Sequence, residues 1–114
     1  MEDNVYPSAK IYVPYAKLRD YILKPNSKHS EEFFKVGYTD KDDYKLFQDI
    51  ENNFDMEKAV RRVVFSEHVQ EFVVYMMLGV TEKKVFRTVW RIDKLADMPR
   101  FITAFRDKEG ENYV

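Results

Sequence analysis

The chain has 114 residues, enough for one domain with a single core and too few for two domains of ordinary size. Hydrophobic residues make up 45% and aromatic residues 16%, with only three glycines and four prolines, which excludes a disordered or low-complexity chain. The formal net charge is -1, so any attraction to nucleic acid or to an anionic membrane has to come from a local patch.

The chain begins with a segment that has no periodic pattern. Residues 1–10 are expected to form an N-terminal arm, followed by a short strand at 11–13. The first helix is predicted over 14–24, because Leu18, Tyr21 and Ile22 recur at helical spacing.

Two further helices are predicted in the first half. Ser30 is placed to cap a short helix that runs to residue 36 and stops at Gly37. Thr39 or Asp40 is expected to cap a third helix that ends near residue 53. The residues expected on the buried face of the third helix are Tyr44, Leu46, Phe47, Ile50 and Phe54.

The second half becomes rich in valine and aromatic residues, as strands are. Strands are predicted over 59–66, 69–79, 85–92 and 100–106, and residues 107–114 are expected to be a frayed tail. Helices followed by strands indicate one α+β domain over 1–114, in which N-terminal helices pack on one face of a four-stranded antiparallel β-sheet, a meander.

The predicted strands differ in their patterns. The second strand is apolar on both faces, which places it inside the sheet. The third strand alternates, with Phe86, Thr88 and Trp90 on one face and a basic row on the other. The fourth strand is expected to place Phe101, Thr103 and Phe105 on one face and Arg100, Ile102, Ala104 and Arg106 on the other.

Several classes of site are disfavoured by composition. The chain has no cysteine and two histidines, so disulfides, Cys-ligated metals and multi-histidine metal sites are not expected, and no cofactor is predicted. The acidic N-terminus does not resemble a signal peptide, and no apolar run approaches the roughly 20 residues of a membrane span. We therefore expect a cytoplasmic protein with no membrane partner.

His29 is the first candidate for chemistry. Its unperturbed pKa suits general acid or base work, and it precedes a predicted helix start, where backbone N–H groups can bind an anion. The alternative is a solvated loop histidine between Lys28 and Ser30.

Strand arginines are the second group of candidates. Arg87 and Arg91 point to the same side of the third strand, and Arg100 can align beside them on the fourth. Guanidinium groups bind phosphate and stabilise charge that develops when a phosphodiester is cleaved. The alternative is a solvent-facing rim of ion pairs that involves Glu71 and Asp93.

Two distant stretches of the chain contain a set of short motifs: Lys17-Leu18 through Pro25, His29-Ser30, Phe34 with Gly37-Tyr38-Thr39, Val89-Trp90, and Pro99-Arg100-Phe101-Ile102-Thr103-Ala104-Phe105. In these motifs the sequence resembles a family of small bacterial domains of unknown function that are associated with polymorphic toxins. Such domains are similar in layout to compact ribonuclease toxins. The resemblance implies catalytic roles for His29, Arg91 and Thr103 and phosphate-binding roles for Lys17, Arg87 and Arg100. Ser30 stands where the family pattern has a lysine.

Two functional hypotheses follow. The first is a ribonuclease-like domain that cleaves RNA without a metal ion, or binds RNA, in a toxin or mobile-element context. The second is a non-catalytic protein-protein interaction module of the phage, immunity or inhibitor type on the same scaffold, which the near-neutral charge and Ser30 favour.

Overall fold

A four-stranded antiparallel sheet occupies the second half of the chain in the computed structural model, which describes residues 4–93 and 98–114. Its strands are β1 (Val60–Val64), β2 (Val69–Leu78), β3 (Lys84–Asp93) and β4 (Arg100–Arg106), and they lie side by side in chain order. The predicted meander is confirmed, as is the position of β2 inside the sheet. Residues 94–97, which belong to the predicted connection between β3 and β4, lie outside the described residues, as do residues 1–3 of the predicted arm.

The helices precede the strands, so the predicted α+β class is also confirmed. They are α1 (Tyr15–Lys17), which continues as a π-helical segment over Leu18–Ile22, α2 (Lys28–Lys35) and α3 (Asp43–Asn53). The wide turn is closed by a hydrogen bond from the backbone N–H of Leu23 to the carbonyl of Leu18, 2.8 Å. No helix among the described residues is long and apolar enough to cross a bilayer.

The helices cover one face of the sheet. Phe86 of β3 stacks on Phe33 of α2, with ring centroids 4.4 Å apart, and Trp90 packs edge-on against Phe54 at 4.7 Å. These rings belong to one continuous buried cluster that also includes Leu18 of the first helical segment. We call the opposite side of the sheet the outer face.

The outer face has a smaller apolar cluster of its own. Val73, Tyr75 and Val85 form its buried part, and Val89 is among the half-buried residues packed against them. The alternation of β2 and β3 therefore places even-numbered residues toward the helices and odd-numbered residues on the outer face, as predicted for β3.

The pattern predicted for β4 is wrong beyond its first residues. Val89 pairs with Thr103 but the next residue, Trp90, pairs with Phe101, so Ile102 is the extra residue of a bulge. A bulge reverses the alternation, because one residue has no partner on the neighbouring strand. Phe101 and Ala104 are consequently both buried in the main cluster, whereas Phe105 pairs with Arg87 and is 43% exposed.

The starts of α2 and α3 differ from the prediction. Ser30 does not cap α2, which begins at Lys28; its buried hydroxyl donates to the carbonyl of Ser27, 3.1 Å away. The helix α3 begins at Asp43, because the carboxylate of Asp42 accepts a hydrogen bond from the backbone N–H of Thr39 and holds a turn ahead of the helix. The prediction that Tyr44 lies on the buried face of α3 is wrong, because its side chain is 56% exposed.

Both ends of the described chain are more ordered than predicted. Tyr6 of the expected arm is buried and stacks on Phe47 of α3, with ring centroids 4.8 Å apart. The expected frayed tail contains a 3-10 helix over Lys108–Tyr113, in which Gly110 is buried and the ring of Tyr113 stacks on Tyr75. Apolar contacts with the outer face offset the entropy lost when this segment is ordered. The charged residues of the segment do not indicate these contacts.

Candidate functional site

The six residues predicted to carry chemistry fall into two groups. One group lies beside the edge strand β4, around the ring of Tyr21, and consists of Lys17, His29 and Thr103. Arg87, Arg91 and Arg100 lie along the outer face, with other partners.

The edge group is built around the ring of Tyr21. The His29 ring packs against it with centroids 4.1 Å apart, and the Thr103 hydroxyl donates to the Tyr21 hydroxyl at 3.3 Å. His29 itself is exposed on α2. The structure therefore brings together two of the residues predicted as catalytic, through a tyrosine that the sequence did not single out for chemistry.

Lys17 has a structural partner in this group. Its ammonium donates to the backbone carbonyl of Ile102 at 3.1 Å and lies 5.7 Å from the centre of the Tyr21 ring. Ile102 is the bulged residue of β4, so this contact supplies a donor at the interruption in the strand pairing. The contact gives a structural reason for a lysine at this position.

Arg91, on the outer face, contacts both an aromatic ring and a carboxylate. Its guanidinium lies 4.8 Å from the centre of the Phe65 ring and donates to the Glu71 carboxylate at 3.1 Å. Glu71 is its cross-strand partner on β2, and Arg100 is its partner on β4. Phe65 is 56% exposed, so the ring and the guanidinium together form an accessible surface.

Arg87 is held more firmly than Arg91. Its guanidinium donates twice to the hydroxyl of Tyr75, at 2.9 and 3.2 Å, lies 3.3 Å from the Asp107 carboxylate, and is 5.5 Å from the centre of the Phe105 ring. The C-terminal segment thus neutralises part of its charge. Its side chain remains about a quarter exposed, at 24%.

Arg100 joins the outer face to a surface cavity. Its guanidinium lies 4.7 Å from the centre of the Tyr12 ring, and the two residues form a parallel β-bridge. The same two residues line a cavity of about 370 Å³ between the N-terminal segment, the first helical segment and β4.

A second arginine lines this cavity. Arg19 lies 4.3 Å from the centre of the Tyr15 ring and donates through its Nε to the Asp43 carboxylate at 2.9 Å. The Tyr6 hydroxyl donates to the same carboxylate at 2.6 Å. Burial acts to raise the pKa of Asp43, but the hydrogen bonds from Tyr6 and Arg19 outweigh it and hold that pKa below its ordinary value. Burial and the neighbouring Asp43 raise the pKa of Tyr6 well above its ordinary value.

Sequence reasoning missed three residues that contact the arginines of the outer face. Tyr12, Phe65, Glu71 and Tyr75 all contact one of the three arginines. Only the Glu71 pairing was anticipated, as part of an ion-pair rim. The period-2 pattern could place Tyr75 on the face of Glu71, but Phe65 and Tyr12 lie outside the pairings that alternation predicts. No group of three or more carboxylate or histidine side chains within the described ranges is arranged to hold a metal ion.

Comparison with known proteins identifies the family. A profile described as a domain of unknown function, DUF6883, matches residues 5–108. The chain belongs to the DUF6883 family. The DUF6883 match covers all four strands and all six predicted site residues. No curated protein and no solved structure matches the chain, so membership of DUF6883 brings no activity, substrate or toxin context with it.

Proposed function

We propose that this protein binds single-stranded RNA on the outer face of its sheet. The observation that carries the proposal is that Arg87, Arg91 and Arg100 each lie within 6 Å of the centre of an aromatic ring on that side. Two of these arginines, Arg91 and Arg100, are exposed, and so is the Phe65 ring.

The physical basis is that single strands present both unstacked bases and phosphates. Exposed rings such as Phe65 and Phe105, which are 56% and 43% exposed, can stack on bases of any sequence. Arginine can donate two parallel hydrogen bonds to a phosphate. Arg61, which lies 5.8 Å from the centre of the Tyr75 ring, adds a fourth guanidinium to this face. Two carboxylates offset part of this charge, Asp107 beside Arg87 and Glu71 beside Arg91.

Binding is better supported than a catalytic site that combines His29, Arg91 and Thr103 with the phosphate-binding Arg100. Thr103 donates to Tyr21, against which the His29 ring packs, whereas Arg100 lies over the ring of Tyr12. Direct contacts with one phosphate require distances of about 3 Å, and the contacts of these side chains are with different residues. Arg91 is on the neighbouring strand, where it engages Glu71 on the outer face.

Fluorescence anisotropy with a labelled single-stranded RNA of about 12 uridines tests the proposal. Arg91→Gln should weaken binding about tenfold and lower the slope of log K against log salt by about 1, because one phosphate contact is lost. Phe65→Ser should weaken binding roughly 5- to 150-fold, the range expected for one base stack of about 1–3 kcal/mol.

Arg62→Gln is the matched control. Arg62 is likewise an exposed strand arginine, but it lies on β1, donates to Gln70 and packs over the ring of Phe72, which faces the helices. Equal RNA affinity in Arg91→Gln, Arg62→Gln and the unaltered protein would contradict the proposal, as would no binding by the unaltered protein at low salt.

The cleavage hypothesis is tested on the same samples. RNA is incubated with the protein and with His29→Ala in the presence of a chelator and resolved on a denaturing gel. Cleavage that disappears in His29→Ala would support a catalytic role for the edge group. The same background in both samples would exclude that role for His29.

A second candidate is a protein-binding role for the β1–β2 hairpin. Val63, Val64 and Phe65 are consecutive and 50%, 67% and 56% exposed, and β1 is an edge strand. Edge strands with exposed apolar side chains are common docking sites for another protein. A protein partner that is retained by the unaltered chain and lost by Val64→Thr, with RNA affinity unchanged, would favour this candidate.

A further inference from the structure

The cavity beside Arg100 combines cationic, aromatic and anionic groups in one concave site. It measures about 370 Å³, and its lining includes Tyr12, Tyr15, Arg19, Asp20 and Arg100. A volume of this size falls within the range of small-molecule sites. The cavity is therefore large enough for a ligand of the size of one nucleotide.

Both arginines of the cavity are positioned by tyrosines. Arg19 lies over Tyr15 at 4.3 Å and Arg100 lies over Tyr12 at 4.7 Å from the ring centres. Arginine has five N–H donors in a planar fork. Arg19 gives its Nε donor to Asp43, and its side chain is 52% exposed and so accessible to an anion. Positioning by the rings lowers the entropy that the side chains lose when a ligand binds.

Asp20 gives the same cavity an acceptor. It is exposed and lies four residues after Ala16, which also lines the cavity. A site with two guanidiniums alone would accept any compact anion. The Asp20 carboxylate repels a ligand that is anionic throughout. It favours a ligand with an anionic group at one end and N–H donors at the other.

We propose that this cavity binds one guanine nucleotide. Its phosphate would be held by Arg19 and Arg100. Guanine carries adjacent N1–H and N2–H donors on its Watson–Crick edge, and a carboxylate such as Asp20 can accept both at once. Adenine and cytosine offer only their amino group as a donor on that edge, and uracil only N3–H. The carboxylate therefore selects guanine.

This inference deepens the proposed function and rests on it. Arg100 pairs with Arg91 in the strand register and also lines the cavity. An RNA strand held along the outer face can place one guanine in the cavity at that junction. A free guanine nucleotide presents the same chemistry, so the experiment has to separate the two sources.

Calorimetric titration of the full chain with 5′-GMP, 5′-AMP, 5′-CMP, 5′-UMP and inorganic phosphate tests the cavity. 5′-GMP should bind about tenfold more tightly than the other nucleotides, as expected for one bidentate contact. Asp20→Asn should remove this preference and keep phosphate-dependent binding, whereas Arg100→Gln should weaken every nucleotide about tenfold. Asp40→Asn, an exposed carboxylate outside the cavity, is the matched control.

Two results would overturn the assignment of guanine to the cavity. One is equal affinity for 5′-GMP and 5′-AMP; the other is an unchanged guanine preference in Asp20→Asn. Circular dichroism of each variant checks that the fold is retained, since Asp20 and Arg100 are both exposed.

A pair of RNAs distinguishes failure of the cavity from failure of RNA binding. One is an oligomer of 12 uridines, and the other has a single guanine at its 5′ end. If both RNAs bind equally, both depend on Arg91 and 5′-GMP binds no more tightly than 5′-AMP, the cavity inference is overturned while RNA binding on the outer face stands. If 5′-GMP binds in an Asp20-dependent way and neither RNA binds, RNA binding is overturned and the cavity is a free-nucleotide site.

Discussion

The ammonium of Lys17 donates a hydrogen bond to the backbone carbonyl of Ile102, 3.1 Å away. The two residues are 85 positions apart in the chain, and Ile102 is the bulged residue of the edge strand β4. A bulge leaves backbone groups without partners on the neighbouring strand. The contact thus ties the first helical segment to the point where the sheet alternation reverses.

We expect Lys17→Met to destabilise the fold by about 1–2 kcal/mol, because it keeps the aliphatic side chain and leaves a partly buried carbonyl without its donor. Urea unfolding followed by circular dichroism measures the change. Lys35→Met is the control: its exposed pair with Glu32 should contribute less than 1 kcal/mol. Unchanged stability with lost RNA binding would instead assign Lys17 to phosphate.

Thr88→Val should destabilise the fold by about 1–3 kcal/mol. The buried Thr88 hydroxyl donates to the Val74 carbonyl at 2.6 Å and accepts from the Trp90 indole N–H at 2.7 Å. Valine has a similar shape but leaves both partners unsatisfied. Thermal unfolding measures the loss, and emission from the single tryptophan reports the changed surroundings of its N–H.

Thr103→Val is the matched substitution for this test. Thr103 is only half-buried and its hydroxyl makes a longer bond, 3.3 Å, with Tyr21. Its loss of stability should be the smaller of the two. Equal losses would show that the buried hydroxyl of Thr88 has no special role in the core.

Gly110→Ala should weaken the attachment of the C-terminal 3-10 helix to the outer face. A Cβ at Gly110 would overlap the ring of Tyr75, so the segment or the ring has to move. We expect a loss of about 1–3 kcal/mol, typical of overpacking. Hydrogen exchange of residues 108–113 and urea unfolding measure the two effects, and Glu109→Ala, an exposed neighbour, should change neither.

Asp43 should contribute to the acid sensitivity of the fold. Its pKa is lowered on folding, so its stabilising effect is present above the ordinary carboxylate pKa of about 4 and is lost as the pH falls through the lowered folded value. Urea unfolding between pH 2 and pH 7 should therefore show a shallower decline below about pH 4 in Asp43→Asn.

At neutral pH the same variant should be less stable by about 1–2 kcal/mol, since Asp43 accepts charge-assisted hydrogen bonds from Tyr6 and Arg19. Asp40→Asn removes an exposed carboxylate near the same helix and should leave the pH profile unchanged. Parallel profiles for Asp43→Asn and the unaltered protein would contradict the assigned role.

Local patterns were sufficient for much of the fold. The alternation of Phe86, Thr88 and Trp90 predicted the buried face of β3, and the doubly apolar run of β2 predicted its place inside the sheet. The start of α2 was harder to predict, because Ser27 and Ser30 both fit a cap and only packing buries Ser30. Either serine could cap the helix on local grounds, and packing in the core determines which residue precedes the first turn.

The candidate site was predictable only in part. Arg87 and Arg91 are four residues apart, so in a strand they share a face whatever the fold. The aromatic partners of the arginines could not be predicted in this way. Phe65, which contacts Arg91, lies at the end of a hairpin, and Tyr12, which contacts Arg100, lies in the N-terminal segment. The cavity residues are likewise brought together from three separate parts of the chain.

The amino-acid sequence by itself determined the α+β class, the number and order of the strands and the basic row of β3, because these depend on the period of neighbouring residues. Only the tertiary structure decided that His29 packs on Tyr21 and that Arg100 joins the outer face to a cavity. The first contact depends on how two helical segments pack together. The second depends on strand register, which the bulge at Ile102 shifts in a way that alternation does not encode.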